Sequence, residues 1–579
     1  MLDKALETLK NYFGYSTFRP GQAEVILSVL EKKDTIGIMP TGSGKSLCFQ
    51  IPALIFPGIT VVVSPLIALM KDQVDGLISK NISATFINSS LTPEESTARI
   101  AGLNSGLYKI LYIAPERLSN PYFITDLKNI DISLFAIDEA HCISEWGHDF
   151  RPSYTKIIQS INRISEGKTR APIVALTATA TPEVKDDIIK QLQIESPSVF
   201  VSGFKRDNLE LIVLKAKNDA DKIFKMMNII QKIPGSKIIY AATRKNVDDI
   251  TENLQSAGIN AIGYHAGLTP EERKNIQNLF IMGQYNLLVC TNAFGMGIDK
   301  PDIRLIIHNN MPGSIESYYQ EIGRAGRDGK KSSCILFYNE SDRYIHEFFI
   351  AGENPTKQNI EEVYFAILNR AMSEKKDDIF ITTSEIIYAM SESVGDMTIS
   401  TCLKELEKLE LIKRMGEGGS SVTVKLNYNY DDLIKQISTR AKSQIDLVVS
   451  LKREYNLENI DQEIELNIEE FCEKTNTNKE SIQRTLNTLN KAELIEYTPA
   501  KRGRLIKILK KDLLLEIDES ALEEKKDRAY SKLNVMEEYG VTHICRHKFI
   551  LNYFDDNLDN LEESCGMCDN CMKRIIKKE

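Results

Sequence analysis

The chain has 579 residues, 42% of them hydrophobic and 26% charged, a balance ordinary for soluble globular proteins and enough chain for about four domains. A net charge of −9 argues against binding nucleic acid through bulk positive charge, so any such contact must come from local patches and shaped grooves. No apolar run approaches the ~20 residues that span a bilayer, and the N-terminal MLDKALETLKNYF is amphipathic without a secretory apolar core, so a cytoplasmic location without membrane association is expected.

Residues 1–340 alternate short β-rich runs with helical patterns. One series is DTIGIM (34–39), TVVVS (60–64), KILYI (109–113), SLFAI (133–137) and IVAL (173–176); a second is KIIYA (237–241), NAIGY (260–264), LLVC (287–290), RLIIH (304–308) and CILFY (334–338). Strand–helix alternation implies parallel sheets covered on both faces. Two series imply two α/β lobes, 1–205 and 206–345, joined near Phe204–Asn208.

After Asn354-Pro355 the texture changes. Residues 357–430 and 433–511 are helix-rich, and each ends in a β-like pair with a turn. They also repeat: Leu403, Leu406, Leu411 and Ile412 correspond to Leu486, Leu489, Leu494 and Ile495 at a constant offset of 83 residues. Helices followed by a hairpin predict two winged-helix-like modules. The second turn carries Lys501, Arg502 and Arg504, three cations suited to phosphate contacts; modules that pack without touching DNA are the alternative. Residues 513–579 are expected to form a helical module ending in a cysteine cluster.

The segment Met39-Pro-Thr-Gly-Ser-Gly-Lys-Ser46 follows the first strand and opens a helix. Gly42 and Gly44 let backbone N–H groups approach phosphates, Lys45 suits the β and γ phosphates, and the Ser46 hydroxyl suits Mg²⁺. Met39 stands where the usual G-x-x-x-x-G-K-[ST] pattern has its first glycine. Phe135–Ile137 ends a buried strand, and Asp138 and Glu139 follow at the C-terminal edge, where open α/β sheets bind ligands. Asp138 is expected to hold Mg²⁺, directly or through water, and Glu139 to polarise the attacking water. The only tryptophan, Trp146, shares the next loop with His148, Phe150 and Arg151, side chains that stack on bases or hold phosphate. In YYQEIGRAGRDG (318–329), Arg324 and Arg327 are spaced by three. One of them can stabilise a transferring phosphoryl group if the lobes face each other across a nucleotide; surface salt bridging is the alternative.

Six of the ten cysteines, Cys48, Cys142, Cys290, Cys334, Cys402 and Cys472, are scattered singly, mostly in apolar segments, and are expected to be buried thiols. The other four, Cys545, Cys565, Cys568 and Cys571, are spaced C-x19-C-x2-C-x2-C, which suits tetrahedral Zn²⁺ in a closed, structural site. Four thiolates fill the shell, so His543 and His547 are read as non-ligands.

The order of these motifs resembles that of RecQ-family helicases of helicase superfamily 2. FGYSTFRPGQ (13–22) resembles the family's adenine-recognition motif, and MPTGSGKSLCFQIPAL its motif I. SPLIALMKDQV (64–74) resembles motif Ia, APERL (114–118) a DNA-backbone motif, DEAH (138–141) motif II, WGHDFRPSY (146–154) the aromatic-rich loop and LTATAT (176–181) motif III. YAATRKNV (240–247), CTNAFGMGIDKPD (290–302) and QEIGRAGRDG (320–329) resemble motifs IV, V and VI, and ICRHKFILNYF (544–554) with CGMCDNC (565–571) the zinc module.

The resemblance implies an α/β fold of two RecA-like parallel-sheet lobes, followed here by the two winged-helix-like modules and a C-terminal helical zinc-binding module. It implies ATP binding at Tyr15, Arg19, Gln22, Thr41, Gly42, Ser43, Gly44, Lys45 and Ser46, with Ser46 and Asp138 on Mg²⁺. Catalysis falls to Lys45, Asp138 and Glu139, with Arg327 the arginine finger and Arg324 supporting it. Ser64, Trp146, His148, Phe150, Arg151, Arg244 and Asn292 would contact DNA or couple it to ATP, with Lys501, Arg502 and Arg504 a further guess. The implied protein is a monomeric, ATP-dependent 3′–5′ DNA helicase with ATP, Mg²⁺ and Zn²⁺ as cofactors, acting on single-stranded and forked or tailed duplex DNA in recombination and repair. In the best-known members the zinc module follows the second lobe closely and a winged helix comes after it. Here the tandem repeat intervenes and only MKRIIKKE follows the last cysteine, so the family's usual duplex-splitting hairpin is not carried over. The alternative is a DNA-stimulated ATPase, translocase or strand-annealing remodeller with little unwinding.

Overall fold

The computed structural model describes residues 1–576 apart from 148, 202–203, 296–299, 418–420, 476, 499–502, 513 and 556–563. The chain forms two compact units: Met1–His346 with Arg528–Glu579, and Glu347–Asp527.

Among the described residues the chain forms nineteen strands, β1 to β19 in chain order. The first lobe holds β1 (Thr35–Ile38), β2 (Ile59–Val63), β3 (Ala84–Ile87), β4 (Ile110–Ile113), β5 (Ile132–Ile137), β6 (Ile173–Thr177) and β7 (Ser198–Val201). They make one parallel sheet in the order β3-β4-β2-β5-β6-β1-β7. β1, β2, β4 and β6 are buried along their whole length, the signature of strands covered by helices on both faces. The second lobe holds β8 (Leu209–Lys215), β9 (Ser236–Tyr240), β10 (Ala261–Tyr264), β11 (Leu287–Cys290), β12 (Ile303–His308) and β13 (Ser332–Tyr338), parallel in the order β10-β11-β9-β12-β13-β8. All ten apolar runs read from the sequence are strands. β3, β7 and β8 were not among them; each is an edge strand, covered on fewer sides and so less continuously apolar.

The C-terminal segment of this unit packs on the second lobe. Phe554 stacks on Phe204 with ring centroids 4.7 Å apart, Tyr539 lies 5.1 Å from Tyr318, and the buried His547 uses Nε2 to donate to the Leu209 carbonyl at 3.0 Å.

The second unit contains β14 (Asp378–Ile381), β15 (Ile412–Glu417), β16 (Ser421–Leu426), β17 (Glu463–Asn467), β18 (Ile495–Thr498) and β19 (Arg504–Ile508). The repeat is real at the level of backbone. Asp396–Lys408 and Lys479–Lys491 are helices, Leu403 and Leu406 of the first and Leu486 and Leu489 of the second are buried, and Ile412 and Ile495 each begin a strand. Glu410 and Glu493, the same position in each copy, both end their helix with positive φ, at 55° and 57°.

The expected pairing of each turn's two strands does not form. The two antiparallel sheets run β14-β19-β15 and β17-β16-β18, so β15 pairs with β19 and β16 with β18. Ile506 and Ile508 of β19 join the core of Ile360, Leu403 and Ile412, whereas Val422, Val424 and Leu426 of β16 join that of Leu451, Leu486 and Tyr497. The module from β16 to β18 is thus nested between β15 and β19 of the other. Strand alternation specifies a buried face but not a partner, so the exchange is invisible to apolar patterning. Residues 347–527 carry 26 Lys and Arg against 35 Asp and Glu, so the chain's entire net charge of −9 lies in this unit and the first unit is neutral.

Candidate functional site

β1, β6 and β5 are neighbours in the first sheet, and the chain leaves their C-terminal ends at the glycine-rich loop, at Thr177 and at Asp138-Glu139. Met39 is fully buried and its N–H donates to the Thr177 carbonyl at 3.0 Å, fixing the start of the loop. Gly42 and Gly44 both have positive φ, 83° and 81°, the backbone form that turns successive N–H groups toward an anion. The Lys45 ammonium donates to the carbonyls of Met39 and Pro40 at 3.3 and 3.4 Å. Burial pulls its pKa down, opposed by the negative charges of Glu139 and Asp138. Asp138 is pushed up to about 7, first by burial and then by Glu139 beside it, with Lys45 opposing. Two partly buried carboxylates facing one lysine favour a further cation, so this donor set fits Mg²⁺. Ser46 caps the helix Leu47–Ile55 without spending its hydroxyl on a capping bond. Glu139, at φ 48°, places a carboxylate oxygen 3.4 Å from His141 Nδ1, and that ring nitrogen lies 2.8 Å from the Thr177 hydroxyl.

Of the three adenine-motif residues, Tyr15 is exposed and the other two are docked on the loop. Gln22 Nε2 donates to the carbonyls of Ser43 and Gly44 at 2.8 and 3.1 Å, its Oε1 accepts from Arg19 N at 2.9 Å, and the Arg19 guanidinium donates to the Gly42 carbonyl. A Cβ on Gly44 would sit 2.7 Å from Gln22 Nε2.

The second lobe reaches the same loop. Arg327 packs on Gly42: a Cβ there would lie 3.2 Å from Arg327 Cγ, and the charge of Arg327 also bears on Lys45. Arg324 is buried within its own lobe beside the Tyr240 phenol. Arg206, missed in the sequence, clamps the lobes together. Its guanidinium donates to Thr41 O at 3.2 Å in one lobe, and to Gly323 O at 3.4 Å and Ala325 O at 2.8 Å in the other. The only sign of it was its place in the Phe204–Asn208 join.

In the aromatic loop a Cβ on Gly147 would lie 2.4 Å from the His141 carbonyl, so only glycine fits that turn. Trp146 is 37% exposed. Arg151 is half-buried, held by Asp149 at 3.0 Å, and donates to the Pro65 carbonyl at 2.9 Å, tying this loop to the motif Ia segment. Phe150 is partly buried, and His148 lies outside the described residues. Tyr154, also missed, is fully buried, and its phenol donates to the Asp138 carbonyl at 3.0 Å. Ser64 is buried at the end of β2 rather than facing outward. Arg244 and Asn292 are exposed, after the adjacent parallel strands β9 and β11 and hence at one sheet edge. Arg504 begins β19, and Lys501 and Arg502 lie outside the described residues.

The ligand atoms of Cys545, Cys565, Cys568 and Cys571 all lie within 4.8 Å of one another, the one such metal-competent group of side chains among the described residues. Arg546 N–H donates to Cys568 Sγ at 3.4 Å, and Cys568 N–H to Cys565 Sγ at 3.3 Å, bonds that favour thiolates. Hydrogen bonds from Cys565 and Cys568 hold the Cys545 thiol far below its ordinary value. His547 is spent on Leu209, so it is no ligand.

Residues 19–187 match the DEAD/DEAH box helicase family, 221–329 the helicase conserved C-terminal domain, and 503–572 the RecQ zinc-binding family. The probable ATP-dependent DNA helicase RecS of Bacillus subtilis is 39% identical over 415 residues, covering 71% of this chain and 82% of that one. The chain belongs to the RecQ family of ATP-dependent DNA helicases. RecQ of Bacillus subtilis is 47% identical over 63% of this chain and 61% of its own, and RecQ of Pasteurella multocida 42% over 62% and 56%. The chain therefore spans less than two thirds of these two RecQ proteins. The cofactor set of this RecQ-family chain is ATP, Mg²⁺ and Zn²⁺. No helix among its described residues is long and apolar enough to cross a membrane.

Proposed function

We propose that this chain is an ATP-dependent 3′–5′ DNA helicase of recombination and repair. The observation that carries the reading is Arg327 of the second lobe packed on Gly42 of the first, beside Lys45. Charge from one lobe thus meets the phosphate loop of the other, so hydrolysis and lobe movement depend on each other. The loop N–H groups of Thr41 to Lys45, the Lys45 ammonium and the Arg19 and Gln22 side chains bind the nucleotide, with Tyr15 at its outer edge. Ser46 and Asp138 hold Mg²⁺, which neutralises phosphate charge when bound. Glu139 orients the attacking water, Arg327 stabilises the transferring group, and Arg324 supports it. Trp146, His148, Phe150 and Arg151 engage single-stranded DNA. Arg151 through Pro65 and Tyr154 through Asp138 link that loop to the ATP site. Arg244 and Asn292 extend the DNA track along the second lobe. Ser64, buried at the end of β2 beside Pro65, serves the coupling of the first-lobe loop rather than a direct DNA contact.

A second reading, a translocase or remodeller with little unwinding, is favoured by the acidity of the inserted unit, which is poorly suited to gripping duplex phosphates except around Arg504. Strand separation from forked, 3′-tailed and 5′-tailed duplexes decides between them. The helicase reading expects ATP-dependent separation from forks and 3′ tails. Separation from 5′ tails alone overturns the polarity, and DNA-stimulated turnover without separation selects the translocase.

A further inference from the structure

The helix Glu519–Val541 makes two contacts that the ATP and DNA sites do not account for. The Arg528 guanidinium lies over the Trp146 ring, 3.3 Å from its centroid. One turn on, the Lys532 ammonium donates to the Trp146 backbone carbonyl at 2.6 Å and lies 3.2 Å from a carboxylate oxygen of Glu316. Glu316 is 2% exposed, at the second position of the helix Ile315–Ile322 that leads straight to Arg324 and Arg327. A lysine beside a buried carboxylate is not readily given up: the Tyr553 phenol hydrogen-bonds Glu316 as well, but brings no charge to replace the lysine's.

We propose that this helix is a DNA-responsive latch, in which Arg528 covers the face of Trp146 that a base would take and Lys532 joins the aromatic loop to the helix carrying the arginine finger. This rests on the reading of Trp146 as a DNA contact. A guanidinium over an indole and a base stacked on an indole are of comparable strength, so single-stranded DNA can displace Arg528 without a large barrier. When a base takes the ring and the loop moves, Lys532 keeps Glu316 and releases the Trp146 carbonyl. The helix Ile315–Ile322 is then freed from the first lobe's loop at the moment DNA is bound. Arg528 and Lys532 are positioning residues; neither touches nucleotide.

Trp146 is the chain's only tryptophan, so its fluorescence reports the latch directly. The test compares the full-length protein with Arg528→Ala, Arg528→Lys and Lys532→Met, measuring acrylamide quenching without DNA and ATP turnover against oligothymidylate concentration. Arg528→Ala is expected to raise quenching without DNA, raise DNA-free turnover and lower the half-stimulating DNA concentration about three- to tenfold. Arg528→Lys, charged but not planar, should fall between it and wild type. Lys532→Met is expected to lower the ratio of stimulated to DNA-free turnover while DNA still changes the fluorescence. Unchanged quenching in Arg528→Ala, a higher half-stimulating DNA concentration in that variant, or a wild-type ratio in Lys532→Met each overturns the latch. Wild-type protein that DNA fails to stimulate overturns the DNA reading instead, and the quenching contrast without DNA still tests the Arg528 stack.

Discussion

Met39 shows how one residue reconciles a phosphate loop with a packed core. Where the usual pattern has glycine, its thioether is fully buried against Cys48 Sγ at 3.8 Å, below the loop rather than in the path of the phosphates. Met39→Gly restores the common pattern but opens a cavity, and is expected to cost about 3 kcal/mol, read as a lower midpoint in denaturant. Lys45→Ala removes the one ammonium in the loop, and turnover should fall by about two orders of magnitude or more, with strand separation lost alongside. At this scale most of the candidate site was legible, because Lys45, Asp138, Glu139 and Arg327 announce themselves by type and spacing. Arg206 and Tyr154 were not. Each works by donating to backbone carbonyls remote in sequence, at Thr41, Ala325 and Asp138, and no local pattern encodes such a partner.

Among the elements, the aromatic loop is held at both ends and presents Trp146 between them. Trp146→Ala should weaken single-stranded DNA binding by roughly 1–3 kcal/mol and lower stimulated turnover at subsaturating DNA, checked by fluorescence anisotropy of a labelled oligonucleotide. The exchanged strands of the insert make a sharper demand. Ile506 belongs by sequence to the second repeat but is buried in the core of the first. Ile506→Ala should cost about 2–5 kcal/mol and raise hydrogen exchange in residues 357–417, leaving 421–498 protected. Faster exchange in 421–498 would show that each repeat closes on itself. The parallel sheets were readable from their continuous apolar runs. The pairing of β15 with β19 was not, since Ile412, Ile506, Val424 and Tyr497 all alternate correctly for either partner.

For the molecule as a whole, the zinc-binding segment also packs on the second lobe. The cysteine cluster, the Arg546–Asp569 ion pair at 2.9 Å and the Phe554–Phe204 stack form one continuous body against the second lobe. Zinc removal, or Cys568→Ser, should therefore lower the thermal midpoint of the second lobe as well as release metal, followed by calorimetry beside a zinc-sensitive dye. A midpoint unmoved by chelation would make the cluster dispensable to the second lobe.

The nesting of one module between β15 and β19 also sets a timetable. On a ribosome that works from the N-terminus, β16, β17 and β18 are all made before β19 exists, so the inner module can close while the outer sheet still lacks its central strand. Until β19 arrives, β14 and β15 offer unpaired edges to any passing chain. The sequence order thus assigns the outer module a period of exposure during every round of synthesis, and the speed with which the inner module folds decides how near β19 is delivered to the gap it must fill.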